Sequence, residues 1–308
     1  MKKMFAIICV IVNSTLTTFP QSYPKYHQLK VDAEQKICEH EYWQALEQYK
    51  KAFSEVEFLF TKDLYNASIC AALSSDTIAL FQFMRQCLLQ GVPFKEFHKN
   101  VTVFGQFQNL SGWKNLENQS EQFLNQYESR INLTYRHILD SLNVEDQKVR
   151  NNNEYFLLHR PESKKAKDQR AKMRAVDSCN YLVIQEAMKK YGYPSERNLG
   201  IGHGSGYYFW EPICVWHICE MSLIDEVVKA YLNGEMDVER YVAKLEYASM
   251  QDFHYIYSKH AKNDDSFSEE IDALRLEVGF PTSEQMQKIK KYLSETQNKY
   301  GFIFNYAF

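Results

Sequence analysis

Between Tyr42 and Val56 the apolar residues fall at Tyr42, Ala45, Leu46, Tyr49, Ala52, Phe53 and Val56. Steps of three and four residues draw one stripe along an α-helix and cannot lie on one face of a strand, whose period is two. The same rhythm returns at Leu64, Ala67, Ala71 and Ala72, and again at Ile78, Phe81, Met84, Leu88 and Leu89. Asp76 falls in the turn between these two stripes, and Gly91 stands where a helix C-cap belongs. Phe123, Tyr127, Ile131, Tyr135, Ile138, Leu139 and Leu142 form one longer stripe. In 308 residues there are only 11 Gly and 7 Pro, too few turn formers for many short strands. The expected fold class is all-α.

The first helices come in pairs. The segment with Ala33, Ile37 and Cys38 reads as the antiparallel partner of the helix from Tyr42, and the stripes at Leu64 and Ile78 form a second pair. The run Tyr42-Trp43-Gln44-Ala45-Leu46-Glu47-Gln48-Tyr49 and the small residues Ala67, Ala71 and Ala72 resemble the tetratricopeptide repeat, over roughly Tyr26 to Gly91. Small side chains at those places let two helix backbones cross closely. Two such units fall short of the three that a free-standing solenoid needs, so more helix must pack on them, and Phe94 to Tyr127 supplies it.

Beyond this region lies a charged stretch. Between Asp146 and Arg174 basic residues such as Lys164, Lys165, Arg170 and Lys172 outnumber the acidic ones. It reads as a solvated helix face or a weak anion-binding surface. A helix from about Lys167 to Lys190 should stop at Tyr191-Gly192-Tyr193-Pro194. Helices resume from Pro212 to about Lys259, and a last pair flanks Gly279-Phe280-Pro281.

The N-terminus has the layout of a secretory signal. Lys2 and Lys3 precede an apolar run from Met4 to Val12, and polar residues follow from Asn13 to Thr18. That run is too short to span a bilayer. The expectation is an exported protein, periplasmic or outside the cell, with a signal peptide over residues 1–22, a tetratricopeptide-like region over 23–135 and a further helical domain over 136–308. The cysteines beyond Cys9 could pair in an oxidising compartment, but Cys38, Cys70 and Cys87 lie inside apolar helical patterns, where a thiol packs as a small hydrophobe.

The formal net charge of −3 gives no basic excess for phosphate, so nucleic acid is not an expected partner. Gly200-Ile201-Gly202-His203-Gly204-Ser205-Gly206 is not a phosphate cradle: no Lys follows, and a helix and a Pro turn precede it. Nor is it a nucleophile elbow, because His203 occupies the place of a required Gly. It reads as a ligand-facing or plain connecting loop. Cys214 and His217 share a helical face without the further ligands zinc requires, and no metal or cofactor is expected.

A more informative set is polar. Asp146 and Arg150 are one helical turn apart, with Gln147 between them; Asp177 and Asn180 share another face, among Met173, Val176, Leu182 and Val183; His217 follows. The order Asp146-Gln147-x-x-Arg150, Asp177-x-x-Asn180, Tyr191-Gly192-Tyr193-Pro194, Gly200, His217 resembles an uncharacterised bacterial domain, domain-of-unknown-function family 6624, over about Leu142 to His260. The resemblance implies an exported helical protein and carries no activity. Two departures stand out: the stretch between Arg150 and Asp177 is long and basic, and Trp216 and Ile218 flank His217.

Two readings of the set remain open. It is a hydrogen-bonded network fixing helix register, or a cleft in which His217 titrates near neutral pH. The leading function is binding of a peptide, protein or small ligand, with Arg150, Asn180, Gln147 and His203 as contacts. The alternative is a hydrolase using His217 with Asp146 or Asp177.

Overall fold

The computed structural model describes residues 22–150, 162–201, 214–215, 224–249 and 268–304. They form fifteen α-helices and one short 3-10 turn, with no strand among the described residues: the protein is all-α.

Helices α1 (Tyr23–Cys38) and α2 (Tyr42–Ser54) make one hairpin, and α3 (Thr61–Leu73) and α4 (Thr77–Leu89) the next. Both hairpins turn by the same device. A single left-handed residue, His40 in one and Ser75 in the other, ends the first helix. The next amide then reaches back five residues, Glu41 N to Lys36 O and Asp76 N to Ala71 O, each at 2.9 Å. Asp76 starts α4 by accepting from Ala79 N at 3.0 Å. Gly91 has φ +92° just beyond α4, as its place in the sequence required. Ala45, Ala52, Ala67, Ala71 and Ala72 are buried between the helices.

One stripe differs from expectation. Ile78 is 82% exposed; the inward face of α4 is Ala79, Leu80, Phe83, Met84, Cys87 and Leu88. Ile78 sits in the first turn, where Asp76 sets the helix start and rotates that residue outward.

Four short helices close this core: α5 (Phe94–Lys99), α6 (Val101–Phe104), α7 (Ser111–Asn118) and α8 (Ser120–Arg130). Trp113 of α7 is buried edge-on against Phe94, their ring centroids 5.1 Å apart. The stripe from Phe123 to Leu142 is broken rather than continuous. Ile131 leaves the helical region, and Asn132 Oδ1 accepts from Tyr135 N at 2.9 Å to start α9 (Leu133–Arg150) afresh.

The 28-residue α10 (Lys164–Tyr191) runs back along α9. Their far ends are tied together: Tyr135 stacks on Tyr191 at 5.1 Å, and Tyr135 donates to Gly192 O. The chain then turns through the short α11 (Glu196–Leu199), where Arg136 donates to Leu199 O and Ile201 O, each at 3.1 Å. Gly200, φ +73°, passes so near Tyr127 that a Cβ there would lie 2.0 Å from the phenol oxygen.

Helices α12 (Ile224–Leu232), α13 (Val238–Ser249), α14 (Ser268–Glu277) and α15 (Ser283–Thr296) follow. Helices α12 and α15 pack on α1. The segment after α15 returns to the first hairpins. Phe302 stacks on Tyr42, and Asn66 holds the Ile303 backbone in both directions, Nδ2 to O at 2.9 Å and N to Oδ1 at 2.8 Å. No described helix is long and apolar enough to cross a membrane.

Candidate functional site

Antiparallel packing of α9 on α10 brings Asp146, Gln147, Arg150, Asp177 and Asn180 to one seam. Asp146 is fully buried. Its carboxylate accepts from Arg150 Nε, 3.1 Å to each oxygen, and from Gln147 Nε2 at 2.8 Å. The same guanidinium reaches across the seam, and its Nη2 donates to Asp177 Oδ1. Arg150 is therefore gripped from beneath by a buried carboxylate and from the facing helix by one that is a quarter exposed. A planar guanidinium suits such a double hold, because its donors point in fixed directions.

Asn180, one turn beyond Asp177, is 4% exposed, and its Nδ2 has no acceptor among the described residues. One turn further, Ile184 and Ala187 join Tyr135, Leu139, Leu199, Cys214 and Val215 in a small core. The Cys214 thiol points at Leu139 O, 3.8 Å away. His217 and His203 lie outside the described residues, as do the remainder of the loop at 202–206 and His254 and His260. Leu182 and Val183, which the sequence reading grouped with the seam, are 63% and 42% exposed. Leu182 lies on the opposite side of α10 from Asn180 and Ile184, and Val183 lies at the flank of the face that packs on α9.

At the start of α10 an open groove of about 480 Å³ is lined by Lys164, Lys165, Asp168, Gln169 and Lys172. Gln169 turns inward and donates to Val149 O, while the lysines and Asp168 stay exposed. No group of His, Cys, Asp and Glu among the described residues could hold a metal ion. Cys38, Cys70, Cys87, Cys179 and Cys214 are free thiols, with Cys179 exposed.

A second polar cluster went unnoticed in the sequence. His27, Lys30 and Glu34 of α1, Lys62 and Asp63 of α3 and Glu239 of α13 are all buried. Glu239 pairs with Lys30 and, at 2.7 Å, with Lys62. Burial raises its carboxyl, but the two ammonium groups outweigh burial and hold it well below the usual range. Burial likewise opposes charge on Lys30, and Glu239 and Glu34 overcome it, raising the lysine above its ordinary value. Asp63 is pushed up by burial, against the pull of both lysines, and accepts from Tyr26 Oη at 2.5 Å.

His27 lies between the rings of Phe60 and Tyr231, 5.8 and 5.7 Å away. Burial, reinforced by Lys30, lowers its pKa well below the usual value, so it stays neutral; neither ring nitrogen has a hydrogen-bond partner among the described residues. This cluster links three helices from distant parts of the chain. Its signal in the sequence was faint: His27, Lys30 and Glu34 recur at helical spacing on the side of α1 that carries Tyr23, where apolar residues belong.

No family model, no curated protein and no solved structure matches this chain.

Proposed function

We propose that this is an exported binding protein whose ligand is taken at the seam between α9 and α10. The observation that carries the reading is the Asn180 amide. It is buried beside the Arg150–Asp177 pair, and its Nδ2 lacks an acceptor among the described residues. A purely structural network closes its bonds, since a buried donor left unmet costs about 1–3 kcal/mol. A carbonyl or carboxylate brought by a ligand would satisfy that amide and reach the outer edge of Arg150; peptides and small carboxylic acids carry such groups. Gln147 and His203 belong to the contacts on this reading. The paired hairpin turns fit the tetratricopeptide-like reading of the first helices, and the seam residues are those that resemble domain family 6624.

The test is a melting series on the purified protein with acetate and short peptides bearing a free carboxyl terminus. Asn180→Leu should abolish any ligand-induced rise in melting temperature while raising the melting temperature of the unliganded protein. A wild type that no probe moves, or a variant that responds as strongly as wild type, rejects the reading. N-terminal sequencing of exported material should begin between Thr18 and Lys25; a retained Met1 on cytoplasmic material rejects export.

The second reading is a hydrolase in which His217 works with Asp146 or Asp177. Cys214 and Val215, which lead toward His217 in the chain, pack against Leu139 of α9 and Ile184 of α10, and this favours it. Here His217→Ala should remove turnover of an ester or peptide substrate with the melting temperature nearly unchanged.

A further inference from the structure

The side of α10 turned away from α9 carries a pattern that neither the fold nor the proposed site uses. Lys172, Ala175, Cys179, Leu182 and Glu186 are all exposed and follow one another at steps of three, four, three and four residues. A stripe with this mean spacing of 3.5 is the seam of a two-helix coiled coil. Its centre is apolar and its ends are charged. A helix face of this kind in a solvated monomer is expected to be polar throughout, yet Leu182 and Val183 are 63% and 42% exposed here.

The charges identify the occupant. Seven residues before Cys179 stands Lys172, and seven residues after it stands Glu186. Eleven before is Asp168, and eleven after is Lys190. An antiparallel copy of the same helix, related by a two-fold axis at Cys179, therefore meets it with Lys172 against Glu186 and Asp168 against Lys190. Every pair occurs twice, as a self-complementary two-fold interface requires. Parallel pairing would set each charge against its own copy.

We infer that α10 is a self-association surface, and that two copies of this chain pair through it antiparallel about Cys179. The small side chains at the centre let the helix axes come within about 8–10 Å. With Cα atoms about 2.3 Å from each axis, the two Cys179 Cα atoms then lie within reach of the roughly 4.4–6.8 Å a disulfide spans. The contact covers about six turns of one helix, which is small for a stable dimer, so the association is weak and depends on its charges. The intrahelical pair Glu186–Lys189 is fully at the surface and yields readily to the new partner. The seam of Arg150 and Asn180 lies on the other side of α10 and stays open in the pair, so this inference stands apart from the ligand-binding reading.

Sedimentation of the purified full chain under reducing conditions tests it, with circular dichroism showing that each variant is folded. Wild type should pass from monomer to dimer with rising concentration. Lys172→Glu and Glu186→Lys should each weaken the dimer about ten- to a hundred-fold, because each turns two attractive pairs into two repulsive ones. The double variant Lys172→Glu/Glu186→Lys restores both pairs and should recover wild-type association. A separate trap uses oxidised glutathione: two Cys179 thiols give up two protons and two electrons, one glutathione disulfide becomes two glutathione thiols, and a dimer lost in Cys179→Ser should form. A wild type that stays monomeric and yields no Cys179-dependent dimer overturns the inference. Single and double charge variants that behave alike overturn it too, because rescue is specific to this register.

Discussion

Glu196 caps a helix that begins at Thr61. Its Oε1 accepts from the Thr61 amide at 2.8 Å and from the Thr61 hydroxyl, so the first turn of α3 is completed by a carboxylate from α11, 135 residues further along the chain. Phe60, at the N-cap position, has no side-chain oxygen to offer.

That burial has a pH signature. Desolvation pushes the Glu196 carboxyl from 4.5 to about 7, against the pull of the Thr61 hydrogen bonds. The folded state thus binds a proton more tightly than the unfolded one, so stability falls as pH rises from about 4.5 to about 7. Glu196→Gln keeps the accepting oxygen and removes the titration. Compared with wild type by urea unfolding, it should lose that decline, with a difference that grows to at most about 3 kcal/mol above pH 7.

His27 works in the opposite direction. Its pKa is lowered in the fold, so its contribution is complete above the unfolded value near 6.5 and is lost as pH falls below it. Since neither nitrogen is bonded among the described residues and His27 lies between two aromatic rings, His27→Phe should raise the melting temperature at pH 7 and flatten the loss of stability below pH 6. A lower melting temperature at pH 7 would show that the imidazole has a partner after all.

Removing Glu239 should be severe. Glu239→Gln leaves Lys30 and Lys62 buried with less compensation, which costs about 3–5 kcal/mol. Replacing all three together with apolar residues of similar volume, Lys30→Met, Lys62→Met and Glu239→Leu, should recover most of that loss. Equilibrium unfolding of the single and triple variants decides the matter; a triple variant as unstable as the single one would refute the account.

At the seam the two carboxylates should differ. Arg150→Met strands the buried Asp146 and should cost about 3–5 kcal/mol. Asp177→Asn touches a pair that is partly solvated and should cost about 1 kcal/mol or less. Equal effects in thermal unfolding would mean that burial does not set the hierarchy.

In the first hairpins, Ala71→Leu should cost about 1–3 kcal/mol by overpacking a fully buried position, and a melting curve identical to wild type would contradict the packing seen there.

What could be read in advance was what lies close in sequence. Stripes, the cap at Asp76 and the turn at Gly91 depend on neighbours within a few residues. The Asp146–Arg150 pair and the shared face of Asp177 and Asn180 did as well, and one antiparallel contact brought them together. Asn132 was a legible start for α9, but the apolar run through Ile131 masked it. Glu196 on Thr61, and Glu239 on Lys30 and Lys62, have no local rule behind them. Those partners are set by which helices pack, and their charges sit at positions where periodicity calls for apolar residues. Ile78, Leu182 and Val183 erred the other way, because hydrophobicity alone cannot tell a face turned inward from one turned out.

The clasp of Asn66 on the Ile303 backbone bears on how the protein is made. The segment that seals the first hairpins is synthesised 237 residues after the side chain that receives it. At roughly 5–20 residues per second, a ribosome takes about 12–50 seconds to cover that interval. During that time the hairpins emerge with Tyr42 and Asn66 unsealed. The clasp therefore locks the hairpins only after most of the polypeptide has already left the ribosome.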